Sequence, residues 1–201
     1  MPRRSREDAA RTRTSIVERA VDVSSVEGLE SLSIGRLANG LGLSKSGVIG
    51  HFGSKERLQL ATVEAGIARF VEEVWQPASE EAPGLIRLRA LMDAWLSYLR
   101  RGVFPGGCFM TAVAIEFDDR PGPVKQRIAK GWQNWLDVLE AEVATAQAQG
   151  ELRDDRPPRD IAFRLHAFVS EANWRKQLFG DADALNVSAA SIDDLLAGLA
   201  A

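Results

Sequence analysis

Apolar residues recur at helical spacing along almost the whole chain. Residues three and four positions apart lie on one face of an α-helix, so this spacing is typical of helices that bury one side. Ile16, Val17, Ala20 and Val21 are a first example. A convincing alternation of apolar and polar residues, which would indicate a strand, is not found over a useful length. The pattern therefore predicts an all-α fold.

Glycine, proline and capping residues divide this pattern into about nine helices. The first is predicted to begin between Arg6 and Ser15, with Ser15 and Glu18 as a capping box, and to end at Gly28. The fourth is long enough to connect two bodies of structure. The helices predicted after the first cover residues 33–41, 44–52, 54–77, 84–101, 108–118, 122–149, 158–179 and 188–200.

Residues 33–52 predict two short helices joined by a glycine turn. Ala38 is small enough for the helix crossing, and Gly42 tolerates the left-handed backbone of such a turn. The small core between the helices is predicted to contain Leu37, Leu41, Leu43 and Val48. The pattern is typical of a helix-turn-helix, although a plain helical hairpin has the same spacing.

A recognition helix presents polar or small side chains near its N-terminus, because these enter the major groove. Ser44, Lys45, Ser46 and Gly47 meet this requirement. Lys55 has a separate physical reason to bind DNA, since its ammonium and the N-terminus of the fourth helix can share one phosphate. A solvated lysine in a first helical turn is the alternative for Lys55.

The charge distribution favours a polyanion contacted from one end of the chain. The net charge is −3 overall, but residues 1–60 carry ten basic and seven acidic side chains, so the excess acidity lies in the remainder. Five arginines near the N-terminus either contact DNA or form a solvated tail. These are Arg3, Arg4, Arg6, Arg11 and Arg13.

The first 65 or so residues resemble the DNA-binding domain of TetR/AcrR-type transcriptional regulators. The most specific part is His51–Leu58, which contains the ending Phe-x-x-Lys-Glu-x-Leu. Further matches are Ile16–Ala20, Leu32–Ile34, Leu37–Ala38 and Gly42–Lys45. The resemblance implies a helix-turn-helix domain at residues 1–55 and a larger helical domain for effector binding and dimerisation at residues 56–201.

The resemblance also implies roles for single residues. Ser33 and Arg36 would approach the DNA backbone or groove edge, and Ser44, Lys45, Ser46 and Gly47 would line the recognition surface. His51 and Lys55 would contact phosphates. Two positions depart from the family pattern, because Ile49 stands where Tyr is usual and Gly47 where Thr is frequent. Ile49 is therefore interpreted as a core residue.

In the resembling family the C-terminal region binds a small-molecule effector, and its last two helices form the homodimer. The aromatic content predicts an apolar or aromatic effector, although each of these rings could equally be core, and His166 lies on an apolar helix. The candidate ligand residues are Trp75, Met92, Trp95, Tyr98, Phe104, Cys108, Phe109, Trp132, Trp135 and His166. The implied function is a ligand-responsive repressor that binds a palindromic DNA operator as a homodimer.

The same residues limit other functions. One cysteine and two histidines nearly exclude a Cys/His zinc site, and we expect no cofactor and no catalytic site. The alternatives are a regulator controlled by Cys108 oxidation or a protein partner and, more distantly, a helical enzyme that uses Cys108 and His166. With no apolar run long enough for a membrane span and no secretory signal, we expect a cytoplasmic protein.

Overall fold

The computed structural model describes residues 6–201, with side chains from Glu7 onward. Within these residues the secondary structure is helical, apart from one isolated β-bridge between Leu152 and Ala200. The helices are α1 (Arg6–Glu27), α2 (Ile34–Gly40), α3 (Lys45–Phe52), α4 (Lys55–Phe70), a π-helical turn (Val71–Trp75), α5 (Gln76–Ser79), α6 (Leu85–Arg101), α7 (Phe109–Phe117), α8 (Pro123–Ala148), α9 (Pro158–Phe179) and α10 (Ala184–Gly198).

The predicted all-α fold is confirmed. α4, the π-helical turn and α5 follow one another without a break, and counting them as one gives nine helices among the described residues. The predicted fourth helix thus continues to Ser79. Pro77 has no N–H to donate to the carbonyl of Glu73, so the regular hydrogen-bond ladder is interrupted where the wider turn occurs.

One predicted capping box and one predicted helix start are wrong. α1 begins at Arg6, and Ser15 lies inside it, so Ser15 and Glu18 form no capping box. Glu7 and Asp8 place negative charge in the first turn, where it interacts favourably with the helix dipole and stabilises the helix. α10 begins at Ala184 rather than at residue 188, and the Asn186 side chain donates to the Asp183 carboxylate at 2.9 Å across this start.

The chain divides into two compact units. The first, called unit one, comprises the described residues up to Ala68 together with Phe104–Ala129, and the second, unit two, comprises Arg69–Val103 and Lys130–Ala201. This grouping reflects packing. The boundary between DNA-binding and effector-binding domains at residues 55 and 56 remains a prediction.

Unit one is built around α1, against which α2, α3 and α7 pack. Its core contains side chains that are fully or almost fully buried: Ile16, Ala20, Leu29, Leu37, Ala38, Val48 and Leu58. Ala38 has 0% exposure, so the small residue predicted at the crossing of α2 and α3 is buried there. Leu41 and Leu43 are half-buried, and the core between these helices is therefore smaller than predicted.

Unit two is held together by α6, α9 and α10, which contact one another pairwise. Leu88, Trp95, Leu165, Val169 and Ile192 are buried in it. Among the described residues, no helix is both long and apolar enough to cross a membrane.

Candidate nucleic-acid interface

Serine side chains cap both short helices of the predicted helix-turn-helix. The backbone N–H of Arg36 donates to the Ser33 hydroxyl at 3.2 Å, and the N–H of Gly47 donates to the Ser44 hydroxyl at 3.0 Å. Both serines have the extended backbone of an N-cap. Ser33 and Ser44 therefore determine where α2 and α3 begin, and a contact with DNA would be an additional role.

The turn between α2 and α3 is closed by glycine geometry and one backbone hydrogen bond. Gly42 has a φ of +64°, a conformation that favours glycine, and the Leu43 N–H donates to the Ala38 carbonyl at 2.8 Å. α3 ends at Gly53, whose φ is +76°. The α3 helix is thus bounded by a capped start and a glycine end.

One face of α3 is buried and the other is exposed. Val48 and Phe52 are buried, whereas Lys45, Ser46 and Gly47 are exposed, as a recognition surface requires. The Lys45 stem lies over α2, because a Cβ at Gly35 would be 2.9 Å from the Lys45 Cε. α3 therefore presents a short polar surface with one cation.

The interpretation of Ile49 as a core residue is wrong. Its side chain is 45% exposed, on the same short helix as Lys45 and Ser46. An apolar side chain at this place can contact a thymine methyl group in the major groove. Ile49, one of the two departures from the family pattern, thus belongs to the exposed surface.

Two of the predicted DNA-contacting cations are paired with carboxylates. Arg36 donates to the two carboxylate oxygens of Glu27 from its two terminal guanidinium nitrogens, Nη1 and Nη2, the latter at 2.5 Å. The Lys55 ammonium donates to the Glu30 carboxylate at 2.7 Å and to the Glu30 carbonyl at 2.5 Å. The hydrogen bond from Lys55 holds the pKa of the Glu30 carboxyl below its ordinary value, so this acid is ionised at neutral pH.

The other predicted DNA-contacting residues are His51 on α3 and the arginines near the N-terminus. His51 is half-buried, and the Arg13 guanidinium lies 5.0 Å from the Phe52 ring centroid. Arg11 pairs with Asp8 on α1. Arg3, Arg4 and the side chain of Arg6 lie outside the described residues, and the role of these arginines stays a prediction.

A carboxylate on α7 binds the segment between α1 and α2. The Leu29 and Glu30 N–H groups donate to the two oxygens of Glu116 at 2.6 and 2.9 Å. A Cβ at Gly28, where φ is +86°, would lie 2.7 Å from the same carboxylate. Sequence reasoning missed this contact, because the only local signal is a glycine and the partner is 87 positions away.

The predicted ligand residues are divided between the two units. Phe104, Cys108 and Phe109 belong to unit one and are buried, with Cys108 at 1% exposure. The others belong to unit two: Trp75, Met92, Trp95, Tyr98, Trp132, Trp135 and His166. Met92, Trp95, Tyr98 and Trp135 are buried, while Trp75, Trp132 and His166 are half-buried.

Most of the unit-two candidates meet in one group of rings. Phe70, Trp95, Tyr98, Trp132, Trp135 and His166 form this group, called the aromatic cluster. Burial lowers the pKa of His166 to about 4, so its ring is neutral at pH 7. The described residues contain no group of three or more His, Cys, Asp or Glu side chains that could hold a metal ion.

Comparison with known families gives two matches. Residues 16–62 match the bacterial regulatory proteins of the tetR family, and residues 84–192 match the tetracyclin repressor-like C-terminal domain. No protein of curated function matches the chain.

Solved structures share the fold along nearly the whole chain. A TetR transcriptional regulator from Chloroflexus aurantiacus is 24% identical with a TM-score of 0.89, covering 96% of this chain and 98% of its own. A TetR-family regulator from Cytophaga hutchinsonii is 22% identical with a TM-score of 0.84, covering 98% of both chains. AibR, solved with isovaleryl coenzyme A and operator DNA, is 24% identical with a TM-score of 0.72, covering 93% of this chain and 97% of its own.

The second family match alone covers more than half of the chain, and the first contains the helix-turn-helix described above. Members of this family are DNA-binding regulators rather than enzymes, and the distant alternative of a Cys108 and His166 enzyme is thereby set aside. The chain belongs to the TetR family of DNA-binding transcriptional regulators.

Proposed function

We propose that this regulator binds a palindromic operator as a homodimer, represses transcription and releases the operator when a small apolar or aromatic effector binds. The observation that carries the proposal is the exposed face of α3, with Lys45, Ser46 and Ile49 directed away from the core. Such a short surface reads few base pairs, so a second copy on the other half-site supplies the missing specificity.

Exposed apolar residues on the last two helices support the homodimer. Phe163, Trp174, Leu178 and Phe179 on α9 and Val187 on α10 are between 46% and 71% exposed. Large apolar side chains clustered on a surface mark interaction sites, and two antiparallel pairs of helices can bury them in a four-helix bundle. This is the interface that the family resemblance implies.

The aromatic cluster of unit two supports effector binding, because small-molecule sites are mostly apolar with a few polar groups. A related fold, that of AibR, has been solved with both isovaleryl coenzyme A and operator DNA. Repression rests on family resemblance, and the cytoplasm is the proposed location because operator DNA is there. Control through Cys108 oxidation has no observation in its favour, since this thiol is 1% exposed.

Binding to DNA fragments from around the protein's own gene tests the proposal. Fluorescence anisotropy at two salt concentrations should find one fragment that is bound selectively at the higher salt. Lys45→Ala and Ile49→Ala should weaken this binding by about fivefold to a hundredfold, because each removes a groove contact. Lys130→Ala, which removes an exposed lysine from α8, is the matched control.

Equal binding to all fragments that disappears at the higher salt would leave only non-specific attraction to phosphates, and the operator proposal would then be wrong.

A further inference from the structure

The rings of the aromatic cluster surround Trp95, with Phe70 and Trp135 edge to face on it and Trp132 and His166 tilted against it. The Trp95 ring centroid is 5.3 Å from that of Trp135, 5.4 Å from that of His166 and 6.4 Å from that of Trp132. Phe70 lies edge-on to Trp135 at 5.1 Å, and Trp132 edge-on to His166 at 4.9 Å. Trp132 and His166 are half-buried, so the cluster extends from the core of unit two to accessible side chains.

Three ring nitrogens of this cluster are buried and have no hydrogen-bond partner among the described residues. They are Nε1 of Trp95, Nε1 of Trp135 and Nε2 of His166. An indole N–H can only donate, and a buried donor that loses its water without gaining a partner destabilises the fold. Trp95 and Trp135 are 1% and 7% exposed, so bulk water does not satisfy them. An acceptor atom supplied by a bound molecule would satisfy these two N–H groups.

His166 adds a third buried ring nitrogen beside the two indoles. Its Nδ1 lies 3.5 Å from the Ser170 hydroxyl, and the tautomer of the ring sets which of the two atoms donates. Nε2 donates in one tautomer and accepts in the other, so the two indole N–H groups are the fixed donors that call for an acceptor atom.

The surroundings of the cluster favour an uncharged ligand. Burial alone lowers the pKa of His166. Among the residues that the structure describes, no charged side chain therefore acts strongly on this ring. A carboxylate placed here would lose its hydration without gaining a counter-charge. A cation could lie against the ring faces, but it would leave the two indole N–H donors without an acceptor. An uncharged carbonyl oxygen has neither disadvantage.

We propose that the aromatic cluster binds an uncharged apolar molecule through a carbonyl oxygen that accepts hydrogen bonds from the Trp95 and Trp135 indoles. The ligand class is that of ketones, esters and amides with an apolar body. This inference rests on the proposed function, because such a molecule would be the effector, and it narrows the effector from apolar molecules in general to carbonyl-bearing ones.

Matched probe pairs test the ligand class in the absence of DNA. Acetophenone and ethylbenzene differ in the carbonyl, as do 2-acetylnaphthalene and 2-ethylnaphthalene, while benzoate adds a negative charge. The five tryptophans give five indole signals in a ¹⁵N–¹H spectrum, assigned by single Trp→Phe variants. At least one ketone should shift the Trp95 and Trp135 signals and bind about fivefold to tenfold more tightly than its hydrocarbon.

Variants then connect the preference to the donors. Trp135→Phe keeps an aromatic ring but removes an N–H, and should reduce the ketone preference. Trp174→Phe is the matched control, since Trp174 is 46% exposed on α9 and contacts Phe179 rather than the cluster. The wild-type preference stands as a test even where the Trp135 variant fails to fold.

Three outcomes would overturn the inference: equal binding of ketone and hydrocarbon, no binding of either up to their solubility, or tighter binding of benzoate. Its failure is distinguishable from that of the proposed function. Ketone binding that leaves operator affinity unchanged would retain the ligand class and contradict its role as effector. Selective operator binding together with no ketone preference would retain the regulator and reject the ligand class.

Discussion

The paired cations beside α3 bear on how DNA is bound. Arg36 and Lys55 are held by Glu27 and Glu30, so a phosphate must share or displace these carboxylates. Exposed ion pairs stabilise a fold by only about 0 to 1 kcal/mol. A phosphate, with its higher charge density and with the helix N-terminus beside Lys55, can therefore compete for the same ammonium.

The neutral state of buried His166 predicts a pH-dependent stability. Its pKa is about 4 in the fold against 6.5 in a model peptide, so the unfolded chain binds a proton at a higher pH than the folded chain does. Stability contributed by this residue is therefore complete above pH 6.5 and falls as the pH drops toward 4. Between pH 6.5 and 4.5 we expect a loss of roughly 2 kcal/mol in the free energy of unfolding.

Urea unfolding of the wild type and of His166→Phe at several pH values measures this loss. The variant should show a smaller decrease over the same interval, whatever its absolute stability. His51→Phe is the control for the other histidine. Glu30 and Glu64, whose pKa values are lowered by Lys55 and Arg127, lose their stabilisation mainly below this interval. Parallel curves for wild type and His166→Phe would contradict the prediction.

Helix α7 belongs to unit one, as do α2 and α3, and its contacts are specific. One contact is that of the Glu116 carboxylate described above. A second is made by the loop before α7, where the Gly106 N–H donates to the Ser25 hydroxyl of α1 at 3.2 Å. A Cβ at Gly106 would lie 1.7 Å from the Ser25 carbonyl oxygen, so only glycine fits. At Gly66 on α4, a Cβ would lie 2.3 Å from the Phe109 ring. α7 thereby helps to hold α1 and the segment leading to α2.

Glu116→Ala should destabilise unit one by about 1 to 3 kcal/mol, because two backbone N–H groups lose their acceptor and the Leu29 site is partly buried. Chemical denaturation measures this change, and operator binding should weaken with it, since the segment before α2 is no longer held. Asp119→Ala removes an exposed carboxylate close in sequence and serves as control. Equal stability of the two variants would mean that water replaces Glu116 without cost.

The proposed homodimer would bury the exposed apolar side chains of α9 and α10. Stable interfaces bury roughly 800 Å² on each partner, and large apolar residues supply most of the favourable free energy. Leu178 and Phe179, at 60% and 63% exposure, lie at the end of α9 and are accessible to a second chain.

Leu178→Asp combined with Phe179→Asp should therefore give a monomer, because each carboxylate would be buried without a partner in the interface. Light scattering after size exclusion should show a mass near the 22.0 kDa of one chain, against about twice that for the wild type. Operator affinity should fall with it. Ile86→Asp, a change at a 51% exposed apolar residue of α6, should leave the dimer intact. A wild-type protein that is monomeric in solution would contradict the proposed homodimer.

Local patterns were sufficient for much of this protein. Helical periodicity, glycine at the turns and serine at the helix starts depend on interactions within a few residues, so the all-α fold and the caps at Ser33 and Ser44 could be read directly. The exposure of Ile49 could not be predicted in this way. Val48 and Ile49 are neighbours on a helix of eight residues, and only the packing of α3 determines which one is buried.

The remaining features depend on the path of the chain. Lys55 meets Glu30 across 25 positions, Glu116 meets Leu29 across 87, and the aromatic cluster joins rings from α4, α6, α8 and α9. Periodicity identifies these side chains as apolar or charged but carries no information on which of them become neighbours. Burial and charge pairing between distant segments are properties of the folded chain, and these decide which cations are paired and which ring nitrogens are left without an acceptor.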